Sequence, residues 1–301
     1  MKRARRGISP ATLFFFLLSV GLGIALYLKI REKPTPEAAP TPRPKAAATA
    51  RPEPSPRPRI AERLPATTPP ARPQPSEAAA GEPRVAIVID DLGNDAAAAG
   101  RIAGWPYEVS GAVLPALPGS ARTARELTDS GKQVLLHLPM EPREYPRMKP
   151  GPGVVLRAHS DEEIARTLES DLETVPGAAG VNNHMGSAAT ADPRVMRAVV
   201  RVLAKRGLFF VDSRTTGSTV GQETAREEKV PSVSRRVFLD DDATEPAVTK
   251  AFGELVAHAR AEGFAVGIGH PYAPTLAVLE RELPKLADKG VRLVPVGDLA
   301  K

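Results

Sequence analysis

Five polar side chains stand out because each follows a short apolar run. Asp90 and Asp91 come directly after Val85-Ala86-Ile87-Val88-Ile89, His137 after Val134-Leu135-Leu136, His184 after Val181-Asn182-Asn183, and His270 after Val266-Gly267-Ile268-Gly269. Two carboxylates and three imidazoles are the groups that bind a divalent cation and move protons beside it. Adjacent carboxylates can divide that labour: one ligates, and its neighbour, whose negative charge the cation makes tolerable, serves as a base. His270 suits a general acid if a carboxylate tunes it, and Asp212 and Asp240, each closing its own apolar run, are the candidates. Glu141 is an alternative metal ligand, since carboxylate oxygen also suits a zinc-like cation. Asn182 and Asn183 begin a run of amide and hydroxyl groups that has no place in a core without polar partners, so it reads as a site wall. His159, beside a helix start, and His258, within an amphipathic helix, read as structural.

Side chains so far apart in sequence converge only if a fold brings the ends of their strands together. From residue 84 onward, short apolar runs alternate with helix-like stretches, the pattern of repeated βα units. The predicted strands are 85–89, 109–114, 133–137, 178–182, 208–211, 237–239, 265–268 and 292–294. Helix starts lie between them: Ser160 with Glu163 forms a capping box, Asp192-Pro193 opens a helix that Gly207 ends, and Glu245-Pro246 opens another that reaches Gly263. The fold class is therefore α/β, in the layout of a barrel whose functional residues collect at the carboxyl ends of parallel strands. Pro139 is expected to stop its strand and leave His137 at the rim, and the Pro/Gly-rich stretch 139–157 to form part of that rim.

The first 83 residues read differently. Lys2, Arg3, Arg5 and Arg6 precede an apolar stretch from Ile8 to Leu28, long enough for a membrane-spanning helix. Residues 1–30 are read as an inner-membrane anchor, with a cleaved signal as the alternative, and the basic end places the rest of the chain outside the cytoplasm. Residues 31–83, rich in Pro, Ala, Arg and Glu, cannot bury a core and read as a disordered linker with a reach of roughly 150 Å when fully extended. Residues 84–301 form the one folded domain. Up to Pro83 the chain has 14 Lys+Arg against 6 Asp+Glu, and after it 27 against 29. The folded part is near neutral, which removes the electrostatic footprint of a nucleic-acid partner. With no Cys, thiolate ligands, thiol nucleophiles and disulfides are excluded.

The segments Val85-Ala86-Ile87-Val88-Ile89-Asp90-Asp91-Leu92-Gly93, His137-Leu138-Pro139-Met140-Glu141, Asn182-Asn183-His184-Met185-Gly186-Ser187, Val211-Asp212-Ser213-Arg214 and Gly269-His270-Pro271 follow one another in order. They resemble the motifs of the divergent polysaccharide deacetylase family, a branch of the carbohydrate esterase superfamily, over essentially all of 84–301. The resemblance implies a distorted (β/α)7–8 barrel and one divalent metal ion, expected to be zinc, on an Asp-His-His set. Carried over residue by residue, Asp90 would be the base, Asp91, His137 and His184 the metal ligands, and His270 the distal acid. Asn182, Asn183, Glu141, Asp212 and Asp240 would meet the substrate. The better-known deacetylases place two histidines four residues apart, a spacing held here by His137 and Glu141. Asn182 to Ser187 stands in the place of their Arg-Pro-Pro-Tyr segment.

The expected activity is a metal-dependent hydrolysis that removes acetyl groups from an envelope polysaccharide or peptidoglycan-like glycan, with N- and O-acetyl both open. A second reading keeps the fold without the reaction, as a glycan-binding or scaffolding protein of the envelope. A third, a metal-dependent amidase or phosphoesterase, shares the site and differs at the substrate rim.

Overall fold

The apolar run at 85–89 shows no alternation because both of its faces are covered. In the computed structural model, which describes residues 81–301, it lies within β1 (Arg84–Leu92), where Val85, Ile87 and Ile89 pack outward among helices and Ala86 and Val88 pack inward. The expected anchor and almost all of the expected linker lie outside the described residues. Among the described residues, no helix is long and apolar enough to cross a membrane.

The chain continues as α1 (Ala96–Ala103), β2 (Ser110–Val113), α2 (Ser120–Asp129), β3 (Gln133–Met140), α3 (Asp161–Thr174), β4 (Ala178–Met185), α4 (Pro193–Arg206) and β5 (Phe209–Asp212). It closes with α5 (Gly221–Glu227), β6 (Ser232–Ser234), β7 (Val237–Phe238), α6 (Glu245–Glu262), β8 (Phe264–Gly269), α7 (Ala273–Glu282) and β9 (Arg292–Leu293). The nine strands pair only in parallel, in the order β6-β5-β4-β3-β2-β1-β8-β7, with β9 on the start of β1. The result is a curled, all-parallel sheet. Its two ends are successive pieces of one extended segment: Arg235 N donates to Asp212 O at 2.9 Å, and Arg236 N to Val266 O at 2.8 Å. The chain thus changes partner from β5 to β8 between adjacent residues, without a helix between β6 and β7.

The three helix starts read from the sequence are formed. Ser160 and Glu163 close a capping box on α3, Asp192 caps α4 ahead of Pro193, and Gly207 and Gly263 end α4 and α6 in left-handed conformation, where a Cβ would be strained. At the amino ends of the strands the barrel is plugged by the carboxyl-terminal segment. Val294, Val296 and Leu299 join the inner core, and Gly297 N donates to Gln133 Oε1 at 2.8 Å. The opposite end stays polar.

Pro139 does not stop β3, which runs on to Met140. Past Leu136 the neighbouring β2 has ended, so a missing N–H breaks no bond to it. Val155 instead returns beside Met140, its N–H donating to Pro139 O at 2.8 Å. His137 is accordingly inside the barrel mouth, with 2 % of its surface exposed, and not on the rim.

Candidate active site

Consecutive strand residues normally point to opposite faces, yet Asp90 and Asp91 both reach the barrel mouth. The cause is local. The β1–β2 register is interrupted between Ile89 and Leu92, and Asp91 takes φ 57°, a left-handed conformation that Asp tolerates better than most residues. That twist turns the second carboxylate back to the side of the first. Period two does the rest on β4, where Asn182 and His184 share the inner face beside His137 of β3.

Asp91 Oδ1 lies 3.2 Å from His137 Nε2 and 3.0 Å from His184 Nδ1, and those two nitrogens are 3.1 Å apart. Despite these distances Asp91 Oδ1 is a buried oxygen with no aligned hydrogen bond. One ligand atom from each of the three residues fits within a sphere of mutual distances below 4.8 Å. One carboxylate oxygen and two imidazole nitrogens that converge this closely are a donor set suited to a divalent cation, and such a set leaves positions open for water and substrate. Burial works against the Asp91 carboxylate, but the two imidazoles hold it well below the usual range.

Asn182 sets the orientation of this group with both ends of one amide. Its Oδ1 meets His137 Nδ1 at 2.8 Å, and its Nδ2 donates to Asp90 Oδ1 at 2.8 Å. The first contact puts the His137 proton on Nδ1 and leaves Nε2 free to ligate. Burial raises the pKa of Asp90, opposed by His137, His270 and the Asn182 hydrogen bond. Burial also opposes the charging of His137, but Asp90 and Asp91 outweigh it, so its pKa is raised.

On the far side, His270 follows β8. Its backbone N–H donates to Asp240 Oδ2 at 2.6 Å, its Nδ1 meets Asp240 Oδ1 at 2.9 Å, and Thr275 Oγ1 donates to Asp240 Oδ2 at 2.8 Å. Its Nε2 is left facing the mouth, 3.9 Å from Asp91 Oδ2. Burial lowers the His270 pKa, but the Asp240 carboxylate dominates and pushes it up to about 9. The shift favours the charged ring, and its Nε2 faces the site.

Asp90, Asp91, His137, Asn182, His184, Asp240 and His270 form one connected group. Asp212 does not join it. Val211 faces the inner core and Asp212 the opposite side, where its oxygens accept from Arg214 N at 2.8 Å, Thr219 Oγ1 at 2.9 Å and Gln222 N at 3.2 Å. Asn183 likewise faces away and braces the loop after β5, accepting from Ser213 N at 2.9 Å. Glu141 ties down the 139–157 rim by accepting from Arg157 N at 2.7 Å and pairing with Arg157 Nε at 3.0 Å, so it is occupied and does not replace a histidine. His159 accepts from Leu156 N, and His258 contacts Glu262 on its own helix.

Sequence reasoning missed four residues around this group. Ser213 Oγ is 3.3 Å from Asn182 Nδ2, and the Tyr272 ring stacks on His270 at 5.4 Å between centroids. Arg235 covers the Phe238 ring at 3.7 Å, and that ring stacks in turn on His270 at 6.3 Å. The signal for Ser213 was the same alternation that turns Asp212 away.

Residues 87–300 match the family model described as divergent polysaccharide deacetylase. An uncharacterized protein of Haemophilus influenzae is 38% identical over 216 residues, covering 72% of this chain and 76% of that protein. The uncharacterized protein YibQ of Escherichia coli K12 is 36% identical over 199 residues, 66% of this chain and 61% of YibQ. The crystal structure of the uncharacterized protein ATU2773 from Agrobacterium tumefaciens C58 superposes with a TM-score of 0.70 at 25% identity, covering 75% of this chain and 92% of that one.

Proposed function

Because this chain belongs to the divergent polysaccharide deacetylase family, we propose that it is a metal-dependent hydrolase that removes acetyl groups from a polysaccharide of the cell envelope. The observation that carries this reading is the orphaned Asp91 Oδ1 between two imidazole nitrogens, with a separate buried carboxylate, Asp90, 3.6 Å from the same His137. Asp91, His137 and His184 would hold one divalent cation, expected to be zinc, which accepts imidazole and carboxylate donors. Such a cation polarises an acetyl carbonyl and lowers the pKa of water towards ~7.

Asp90 serves as the base that takes a proton as water attacks the acetyl carbon. Its burial makes the carboxylate more basic, and Asn182 keeps one of its oxygens fixed while the other stays available. His270 delivers its Nε2 proton to the departing amine or alkoxide. Asp240 holds the ring by Nδ1 and keeps it charged, so the proton is present when the bond breaks. With 33 % of its side chain exposed, Asp91 marks the group as open to a polymer that cannot enter a closed cavity.

The amino-terminal segment supports a further part of this proposal, that the domain works outside the cytoplasm while residues 1–30 hold it at the inner membrane. The test of the activity is acetate release from N- and O-acetylated glycans by the metal-loaded protein and its Asp90→Asn variant. The variant should keep its metal and lose about 10²–10⁴-fold in rate. Metal-loaded protein that releases no acetate from any of these glycans yet binds them would replace this reading with that of a silent glycan-binding protein.

A further inference from the structure

Where β6 passes directly into β7, no helix covers the seam, and a cleft of about 410 Å³ runs along it. Its lining includes Arg214, Arg226, Arg235 and Arg236. The one carboxylate in that lining, Glu262, is taken by Arg236 at 2.7 Å. Among the described residues, Arg214, Arg226 and Arg235 have no salt-bridge partner within 4.0 Å. Glu223, three residues before Arg226 on α5, is the acid of that helix placed to face it, and the two make no ion pair within 4.0 Å; Glu227 is engaged by Arg197 at 3.5 Å. Carboxylates lie nearby, Asp212 and Glu223 beside Arg214 and Arg226 among them, but the cleft itself is lined by four guanidinium groups against one carboxylate, a local excess of positive charge that an anion would relieve.

The cleft abuts the site. Arg235 donates through Nε to Ser213 O at 2.7 Å and through Nη2 to Arg214 O at 2.8 Å, which fixes its plane over Phe238, the ring stacked on His270. Arg214 is held in left-handed conformation, φ 48°, by the Asp212 carboxylate that accepts its N–H. Arg235 is thus fixed beside the mouth, and Arg214 lines the same cleft. A guanidinium fork matches the paired oxygens of a carboxylate or phosphate, which a neutral sugar lacks.

We propose that this seam cleft is a subsite for an anionic unit of the glycan, and that the substrate is an acidic polysaccharide whose charged group sits beside the sugar that is deacetylated. The acetylated-glycan half of this statement rests on the deacetylase reading; the anion-binding half does not.

The test compares binding of three oligosaccharides of equal length to the full chain by calorimetry: an oligogalacturonate for carboxylate, a 6-phosphorylated N-acetylglucosamine oligomer for phosphate, and the unmodified N-acetylglucosamine oligomer. At least one anionic oligomer should bind tenfold or more tightly than the neutral one, with an advantage that shrinks as salt rises. An Arg214→Gln, Arg226→Gln double variant, checked for an unchanged unfolding midpoint, should lose most of that preference. Equal binding of all three by the wild-type chain overturns the subsite, as does a preference untouched in the folded double variant. If an anionic oligomer binds through these arginines while no acetylated glycan is turned over, the subsite stands and the deacetylase reading falls.

Discussion

Replacing Asp171 by Asn should flatten the protein's stability against pH. Asp171 lies on α3 with 3 % of its surface exposed, its Oδ2 has no hydrogen-bond partner, and burial pushes its pKa up to about 8. In the unfolded chain the same group titrates near ~3.9. Below about pH 4 the carboxyl is neutral in both states and adds no pH dependence. Between about pH 4 and pH 8 the unfolded chain gives up the proton that the folded chain keeps, so stability falls by up to ~1.4 kcal/mol per pH unit. The ceiling over that window is on the order of 5 kcal/mol; relaxation and water entry reduce such penalties, and about 2–4 kcal/mol is expected. Asn carries no charge, so Asp171→Asn should be the more stable protein at pH 8. At pH 4 it should match the wild type or fall below it by about 1 kcal/mol, because a buried amide is itself unsatisfied. Urea unfolding of both proteins at pH 4, 6 and 8 measures the difference. Two parallel stability curves would refute the reasoning, since they would mean that Asp171 is ionised or hydrated in the folded state.

Three further outcomes follow from particular contacts. A Cβ at Gly153, where φ is +73°, would lie 2.1 Å from Asp171 Oδ1, so Gly153→Ala should destabilise by about 1–3 kcal/mol, read as a lower urea midpoint. Asn182→Ala removes the group that fixes the His137 tautomer and should weaken divalent-metal affinity about 10–100-fold, measured by competition with a chelator of known affinity. Asp240→Asn should lower kcat for acetate release about 10–100-fold with KM little changed; an unchanged kcat would show that His270 does not need its carboxylate.

The βα alternation was legible because parallel strands covered on both faces are written as continuous apolar runs, and all eight predicted strands are present within a few residues of their expected ends. The pieces Ser232–Ser234 and Val237–Phe238 show the limit. A strand of two or three residues carries no period, so β6 was missed and β7 was found only through Val237-Phe238-Leu239. The site was legible as a set of strand-end polar residues, but not its geometry. That Asp90 and Asp91 face the same way depends on a positive φ at Asp91 that residue type permits and does not require. Asp212 and Asn183 were placed in the site although strict alternation from Val211 and Val181 would have turned both outward. The reading of Pro139 as a strand stop failed because it ignored how far the neighbouring strand extends.

Metal stoichiometry tests the central claim most directly. The wild-type protein, reconstituted with zinc and freed of excess, should retain about one divalent ion per chain by elemental analysis, and His137→Ala, with its buried ligand removed, should retain almost none. Full occupancy in both His137→Ala and His184→Ala, or no retained metal in the wild type, would contradict a centre built from Asp91, His137 and His184.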